Sequence, residues 1–377
     1  MDKNKKIKIL QTIRQGKIGG GESHVIDLVQ ELNKDGYESI VLSFTHGPMV
    51  DKMKSIGIKT YVIETERPFD FTKWCKVKEI LEAENIDIVH AHGTRANSNT
   101  YNSAKQLGIP VVYTVHGWSF HPDQGFFLRN LRILGEKYLV NRANLTICVS
   151  DNNLNDARKE FTMNRTKVIK YGINLEKFNP ENAFEDIRKE LGVDEGTVLV
   201  GYVVRMTKQK DPLTLIKAIA LIPDNLDVKF LFVGDGELKI DAIKLAKQLN
   251  VYSRIIFMDF RQDVPNILNA VDIYCLPSLW EGLPIGMLEA MAMNKAVVVT
   301  AIDGAKEVIR SMENGILVPV QNPEELAEAL ILLVKDAGFR MKIGENAGKT
   351  ILDDFNVSKM TKQIEQVYNS IISNNAF

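Results

Sequence analysis

The sequence predicts an α/β chain folded as two doubly wound domains, and three observations carry that expectation. The chain has 377 residues, more than one ordinary core holds and suited to two domains of roughly 150–200 residues each. Short β-rich runs alternate with helical patterns, as βαβ units on a parallel sheet require. That alternation runs once through the first half and then starts again.

In the first series, Ile7–Ile13, Glu38–Phe44, Lys59–Val62, Ile86–His90, Val111–His116 and Leu145–Ser150 are apolar, β-branched runs and are expected to be strands. The helical stretches between them include His24–Asp35, Thr72–Glu84 and Asn97–Gly108. In the second series the strands are Val198–Tyr202, Lys229–Val233, Ile255–Met258, Ile273–Pro277, Ala296–Thr300 and Gly315–Val318. Its helices are Pro212–Leu221, Glu237–Leu249, Val264–Ala270, Gly286–Met293 and Pro323–Asp336. The join falls near Gly172–Pro180. At the end of the chain, Met360, Ile364, Val367 and Ile371 recur at helical spacing.

Hydrophobic residues at 45% and charged residues at 25% place the chain among ordinary globular proteins. No apolar run reaches the roughly 18 residues of a membrane span. Met1 to Lys8 is basic, but the apolar stretch after it is short and interrupted, so it reads as a first strand and not a signal peptide. Cys75, Cys148 and Cys275 are scattered, which argues against a disulfide framework or zinc cage and makes the cytosol the default location. The net charge of −1 is uneven: residues 1–173 hold 25 Lys and Arg against 19 Asp and Glu, and residues 174–377 hold 22 against 29. A basic first half favours an anionic partner or surface; two solvated surfaces of different composition explain it equally well.

Ligands of such sheets bind outside the carboxyl ends of the strands, so the loops there come first. In the second half, Pro277 to Ala292 runs from a strand end through Glu281, Gly282 and Pro284 into a helix opening near Gly286. The first N–H groups of that helix, those of Gly286, Met287 and Leu288, could hold a phosphate. Glu281 and Glu289 would repel a phosphate unless they bind hydroxyls, so sugar hydroxyls are their sensible partners. An acidic loop and a surface Glu explain the same residues. After Val198–Tyr202, Arg205 and Lys210 lie just before a helix opened by Pro212, where two cations could neutralise a diphosphate.

Taken together, these residues resemble the retaining glycosyltransferases of the GT-B fold, in family 4, the group 1 glycosyl transferases. That group includes sucrose, glycogen-like and bacterial cell-surface transferases. Its Glu-x7-Glu signature corresponds to Glu281 and Glu289, and its Gly-Arg-Leu-x-x-x-Lys-Gly segment to Val204–Asp211. Val233-Gly234-Asp235-Gly236-Glu237, Asp303-Gly304 with Glu307, and Asn314-Gly315-Ile316-Leu317-Val318 extend the likeness over nearly the whole chain. Val204 and Asp211 replace two usual glycines but remove no charged group. The resemblance implies two Rossmann-like domains facing across a cleft. Residues 1–173 would bind the acceptor and 174–357 the nucleotide-sugar, with 358–377 a helix crossing back to the first domain. Arg205 and Lys210 would then bind the donor diphosphate, Glu281 the sugar hydroxyls and Glu289 the ribose. Gly286, Met287 and Leu288 would complete the phosphate site, and Phe260 and Arg261 belong to the segment that contacts the base.

In the first half, Gly19-Gly20-Gly21-Glu22-Ser23-His24 follows the first strand. It lacks a full Gly-x-Gly-x-x-Gly, and the second strand ends without an acidic residue, so a dinucleotide reading is weak. By resemblance, Gly20 and Gly21 face the donor phosphates. His116 ends the strand at Val111–His116; alone it reads as structural, and the resemblance makes it the histidine that approaches the donor sugar. His90 and His92 could pass for metal ligands, but no convincing third ligand is nearby, and His92 is assigned to the cleft wall. Phe126–Leu134 mixes apolar and basic residues at helical spacing. It fits either a helix with a core face and a solvated face or an interfacial helix on anionic lipid.

There is no Asp-x-Asp, so a metal-dependent transferase design is unsupported and no metal or other cofactor is expected; the nucleotide-sugar is a substrate. UDP is the expected base, with GDP second. Retention implies a front-face route in which the leaving phosphate takes the acceptor's proton, because a double displacement needs a carboxylate nucleophile and Glu281, the one candidate, is by resemblance assigned to binding. The acceptor is a sugar or lipid-linked hydroxyl, a cytoplasmic place at the inner face of the membrane stays open, and no nucleic-acid partner is expected. Two rivals remain: a nucleotide-sugar 2-epimerase of the same two-domain plan and a non-catalytic nucleotide-binding protein.

Overall fold

A computed structural model of the chain describes residues 6–16, 19–34, 36–121 and 124–374. The basic residues Met1–Lys5 and the expected end of the first helix at Asp35 lie outside them. The chain divides into two compact units, Met1–Gly172 with Val357–Phe377, and Ile173–Asn356.

The first unit runs β1 (Ile7–Ile13), α1 (Gly20–Leu32), β2 (Tyr37–Ser43), α2 (Pro48–Ser55) and β3 (Thr60–Val62). It continues through α3 (Trp74–Ala83), β4 (Ile88–His92), α4 (Thr94–Gln106) and β5 (Val111–Val115). Then come α5 (Phe126–Arg142), β6 (Leu145–Cys148), α6 (Asp151–Glu160) and β7 (Thr166–Val168). In the second unit the order is α7 (Ile187–Leu191), β8 (Val198–Val203), α8 (Pro212–Leu221), β9 (Val228–Val233) and α9 (Lys239–Gln248). Next are β10 (Ile255–Met258), α10 (Val264–Ala270), β11 (Ile273–Leu276), α11 (Ile285–Ala292) and β12 (Ala296–Thr300). The unit closes with α12 (Asp303–Lys306), β13 (Ile316–Val318), α13 (Pro323–Lys335) and α14 (Ala337–Asp354). Finally α15 (Val357–Asn374) belongs to the first unit.

Both sheets are parallel. Their orders are β3-β2-β1-β4-β5-β6-β7 and β10-β9-β8-β11-β12-β13. Each reverses direction of winding once, between β1 and β4 and between β8 and β11, and such switch points open the crevice where ligands bind. Alternating residues of β1 serve opposite faces. Ile9 packs with Leu28, Met360, Ile364 and Tyr368, whereas Leu10 packs with Val77, Leu81 and Tyr101. The amphipathic stripe of α15 thus completes the core beneath α1.

Two expectations shift. Strand β4 ends at His92 and not at His90, because Gly93 at φ 82° makes the turn. A seventh strand, β7, with the sequence Thr-Lys-Val, has no counterpart among the expected strands. On α5 the core face is Ile133, Glu136, Leu139 and Val140. The other face is exposed, and Phe126, Phe127, Leu131 and Leu134 share it with Arg132 and Lys137.

The loop after β8 explains one departure from the family pattern. Asp211, where the family has glycine, sits at φ 46° and ψ 59° in the left-handed region, which normally favours glycine. Its carboxylate caps α8, accepting from the Thr214 N–H at 3.2 Å and the Thr214 hydroxyl at 2.7 Å, and that bond offsets the backbone strain. We expect Asp211→Ala, which keeps the strain and loses the cap, to lower stability by about 1–2 kcal/mol. Asp211→Gly should fall within about 1 kcal/mol of the parent. Urea midpoints of the two variants measure the contrast.

Candidate active site

In the second unit the loop after β8 is sewn to the loop after β9. The Val204 N–H bonds Val233 O at 3.1 Å, Met206 N–H bonds Asp235 O at 2.9 Å, and Leu238 N–H bonds Met206 O at 3.0 Å. A β-carbon on Gly234 would lie 2.2 Å from the Val204 carbonyl oxygen, and one on Gly236 would lie 2.2 Å from that of Met206. The glycines are therefore required by the close approach. Held this way, Arg205 is exposed and makes no side-chain hydrogen bond or ion pair among the described residues.

Lys210 ends the short helical turn Lys208–Lys210 and its ammonium pairs with the Glu281 carboxylate. The same carboxylate accepts from Ser278 Oγ at 2.8 Å and Gln209 Nε2 at 3.2 Å. Gln209 also bonds the Trp280 carbonyl at 2.8 Å and receives the Leu279 N–H at 2.8 Å. The two sequence segments read separately, 204–211 and 277–292, are thus one structure, with Glu281 at its centre. Gly304 of α12 supports it from behind, since a β-carbon there would meet the Gly282 oxygen at 2.2 Å.

Helix α11 opens at Pro284 without a side-chain cap. Its Met287 and Leu288 N–H groups donate to the Pro284 carbonyl at 3.1 and 3.3 Å. Those of Ile285 and Gly286 take no partner among the described residues. The free donors are therefore displaced toward the loop relative to the expected trio. A β-carbon on Gly286 would stand 2.6 Å from the Tyr274 hydroxyl. That hydroxyl is buried and has no partner, and burial with Glu289 and Glu281 nearby holds it un-ionised. Nothing in the alternation of β11 announces Tyr274 as different from its apolar neighbours.

Phe260 is exposed, and its N–H bonds Asp235 Oδ2 at 3.0 Å. Arg261, expected near the base, is held by two carboxylates. It grips Asp263 in two bonds of 2.8 and 2.7 Å and pairs with Glu190 at 2.5 Å.

In the first unit, residues from the ends of β1, β4 and β5 meet those of α1 and α15. His116 follows β5; its Nδ1 lies 2.6 Å from the Tyr171 hydroxyl and its Nε2 3.0 Å from His92 Nδ1. His92 Nε2 is 2.9 Å from Gln11 Oε1, and Gln11 Nε2 donates to the Tyr368 hydroxyl at 3.2 Å. The Tyr368 hydroxyl lies 2.6 Å from His90 Nδ1, and His90 Nε2 is 2.7 Å from Thr114 Oγ1. With the amide oriented so, the donors run one way. His92 carries its proton on Nε2, and His116 donates from Nε2 and accepts from Tyr171 at Nδ1. Gly21, in the first turn of α1 beside Gly20, packs on the His116 ring, its missing β-carbon 3.6 Å from Cγ. His24 stands edge-on to the His92 and His116 rings, with centroids 5.6 and 5.2 Å away. Its Nδ1 is buried without a partner. Sequence reading found His90, His92 and His116 and missed Gln11, His24, Tyr171 and Tyr368, which are far apart in the chain and of ordinary type.

Two halves of the chain match known family models: residues 18–177 match Glycosyltransferase Family 4 and residues 183–350 match Glycosyl transferases group 1. The chain belongs to the GT-B glycosyltransferases of family 4. It is 26% identical to an Escherichia coli UDP-Gal:alpha-D-GlcNAc-diphosphoundecaprenol alpha-1,3-galactosyltransferase, covering 98% of each chain. It is also 26% identical to a Campylobacter jejuni N,N'-diacetylbacillosaminyl-diphospho-undecaprenol alpha-1,3-N-acetylgalactosaminyltransferase, over 90% of this chain and 93% of that one. In fold it matches the Anabaena HepE protein in complex with UDP and glucose, with a TM-score of 0.85 at 24% identity, covering 97% of this chain and 100% of that one.

Burial drives every histidine of the cluster toward the neutral form: His116 down to about 4, His90 to about 3, and His24 and His92 well below their usual value. An unfolded chain protonates these rings below about pH 6.5, whereas the folded chain resists until its lower values. Their contribution to stability is therefore intact above pH 6.5 and is lost as pH falls from 6.5 toward 4. Each ring contributes up to about 1.4 kcal/mol per pH unit. Unfolding midpoints measured between pH 7 and 4.5 should fall along this slope, and His90→Gln should flatten it.

Proposed function

We propose that this glycosyltransferase is a retaining, metal-independent enzyme. It moves a sugar from a UDP-sugar to a hydroxyl of a saccharide or lipid-linked acceptor in cell-surface polysaccharide or glycolipid synthesis. The observation that carries the donor site is the meeting of Lys210 and Glu281 beside the uncapped start of α11. An ammonium has three donors; one on Glu281 leaves two for phosphate oxygens. With the exposed Arg205 and the free N–H groups of Ile285 and Gly286, it stabilises charge that develops on the leaving diphosphate. Glu281, fixed by three donors, presents its carboxylate to hydroxyls of the donor sugar. Glu289 takes the ribose, with Phe260 in the base-contacting segment, and His116 approaches the sugar. The acceptor oxygen bonds the anomeric carbon on the face the phosphate leaves, and the departing phosphate oxygen takes the acceptor's proton. The UDP-Gal named for the E. coli relative and the UDP bound by the Anabaena protein support UDP.

Incubation with UDP-, GDP- and ADP-sugars in the presence of EDTA tests this. A UDP-sugar should release its nucleotide at a rate EDTA leaves unchanged, and Glu281→Gln should slow release by about 10²–10³-fold. Conversion of the donor to its 2-epimer, or failure of every nucleotide to raise the melting temperature, would sink the proposal.

The exposed apolar face of α5 further supports peripheral docking on the cytoplasmic face of an anionic membrane. Phe126, Phe127, Leu131 and Leu134 would enter the headgroup layer, within a half-chain rich in Lys and Arg. No helix among the described residues is long and apolar enough to cross a bilayer. Vesicles containing phosphatidylglycerol should sediment the protein while phosphatidylcholine vesicles do not, and Phe126→Ser with Phe127→Ser should abolish the difference. Equal partition to both vesicles would exclude the electrostatic part.

A further inference from the structure

We propose that His24, His92 and His116 form a binding site for one divalent transition-metal ion of the zinc class. Each residue offers a ring nitrogen, and the three nitrogens lie within 4.8 Å of one another. Tetrahedral bonds of about 2.0–2.1 Å separate ligand atoms by roughly 3.4 Å. The 3.0 Å between His92 Nδ1 and His116 Nε2 needs only a slight opening to admit the ion, and His24 a modest rotation inward. His24 supplies the independent observation. Its Nδ1 is sealed from water and has no hydrogen-bond partner, a costly state for a polar atom that coordination would relieve.

The surroundings are those of a metal centre. Coordinating imidazoles are oriented by a second bond from the opposite ring nitrogen. His92 already bonds Gln11 Oε1 through Nε2, and His116 faces the Tyr171 hydroxyl through Nδ1. Binding asks His116 only to exchange tautomers, moving its proton from Nε2 to Nδ1, where the tyrosine oxygen accepts it. Burial keeps all three rings neutral, so no imidazolium proton must be driven off. Three nitrogens and no carboxylate favour zinc, nickel or copper over magnesium or calcium, which take oxygen ligands. Three protein ligands leave a fourth position for water.

The ion is not an agent of transfer. If His116 approaches the donor sugar, as proposed above, an ion on its Nε2 withdraws that nitrogen, and zinc inhibits the enzyme.

The test is calorimetric titration of zinc into untagged, chelator-stripped protein. One ion should bind per chain, and His24→Gln should weaken binding about tenfold or more. Tyr171→Phe, which removes only the second bond to His116, should weaken it by about 10–100-fold. His46→Ala, at an exposed histidine beside Glu64, should bind as the parent does. No saturable binding, undiminished binding in both His24→Gln and Tyr171→Phe, or loss of binding in His46→Ala would overturn the site. Circular dichroism establishes that each variant is folded, and Tyr171→Phe carries the test if His24→Gln is not. Nucleotide release with and without zinc reads inhibition separately. If no donor releases its nucleotide, the transfer reading fails while the titration still decides the metal site.

Discussion

Backbone pressed against backbone is the constraint on which the second unit's site depends. At Gly234, Gly236 and Gly304 a single added carbon would strike a carbonyl oxygen at 2.2 Å. These contacts pull three strand-end loops into one layer, so that a cation, a carboxylate and a free helix end share a surface. The three glycines matter because the charged residues sit on segments whose paths are fixed by closeness no other residue permits.

The first unit is organised by a different constraint, the need to partner polar groups buried at its switch point. Gln11, His90 and His92 are fully enclosed on the sheet, where an unmade hydrogen bond is expensive. The hydroxyls of Tyr171 and Tyr368 and the amide of Gln11 meet that need in a one-directional series, and each bond polarises the next. His24 is the member left over. The same enclosure that makes these rings neutral makes their nitrogens available to a metal ion.

Much of this was legible in the sequence because it is local. The Arg205–Lys210 spacing, the Glu281–Glu289 pair and the stripe on α15 each lie within a few turns of chain. The strand–helix alternation also survived in large part; β7, α7, α12 and α14 have no counterpart among the expected elements. The Lys210–Glu281 pair was not legible, since the partners are 71 residues apart and were read as binding different parts of one ligand. Nor was the polar network: Gln11 and Tyr368 stand 357 positions apart, and only the packing of α15 onto the first unit brings them together. The pairing of Arg261 with Asp263 and with Glu190, 71 residues away, was likewise not legible.

The placement of α15 has a consequence for how the protein is made. Its residues Met360, Ile364, Val367 and Tyr368 are interleaved with Ile9, Leu28 and Ile88 in one cluster, while everything from Ile173 to Asn356 forms the other unit. The ribosome therefore delivers the first unit in two instalments, with a complete second unit between them. The second can close while its predecessor still waits, its β1–α1 surface uncovered, for the last twenty or so residues. The unit begun first is thus the one whose core is completed last.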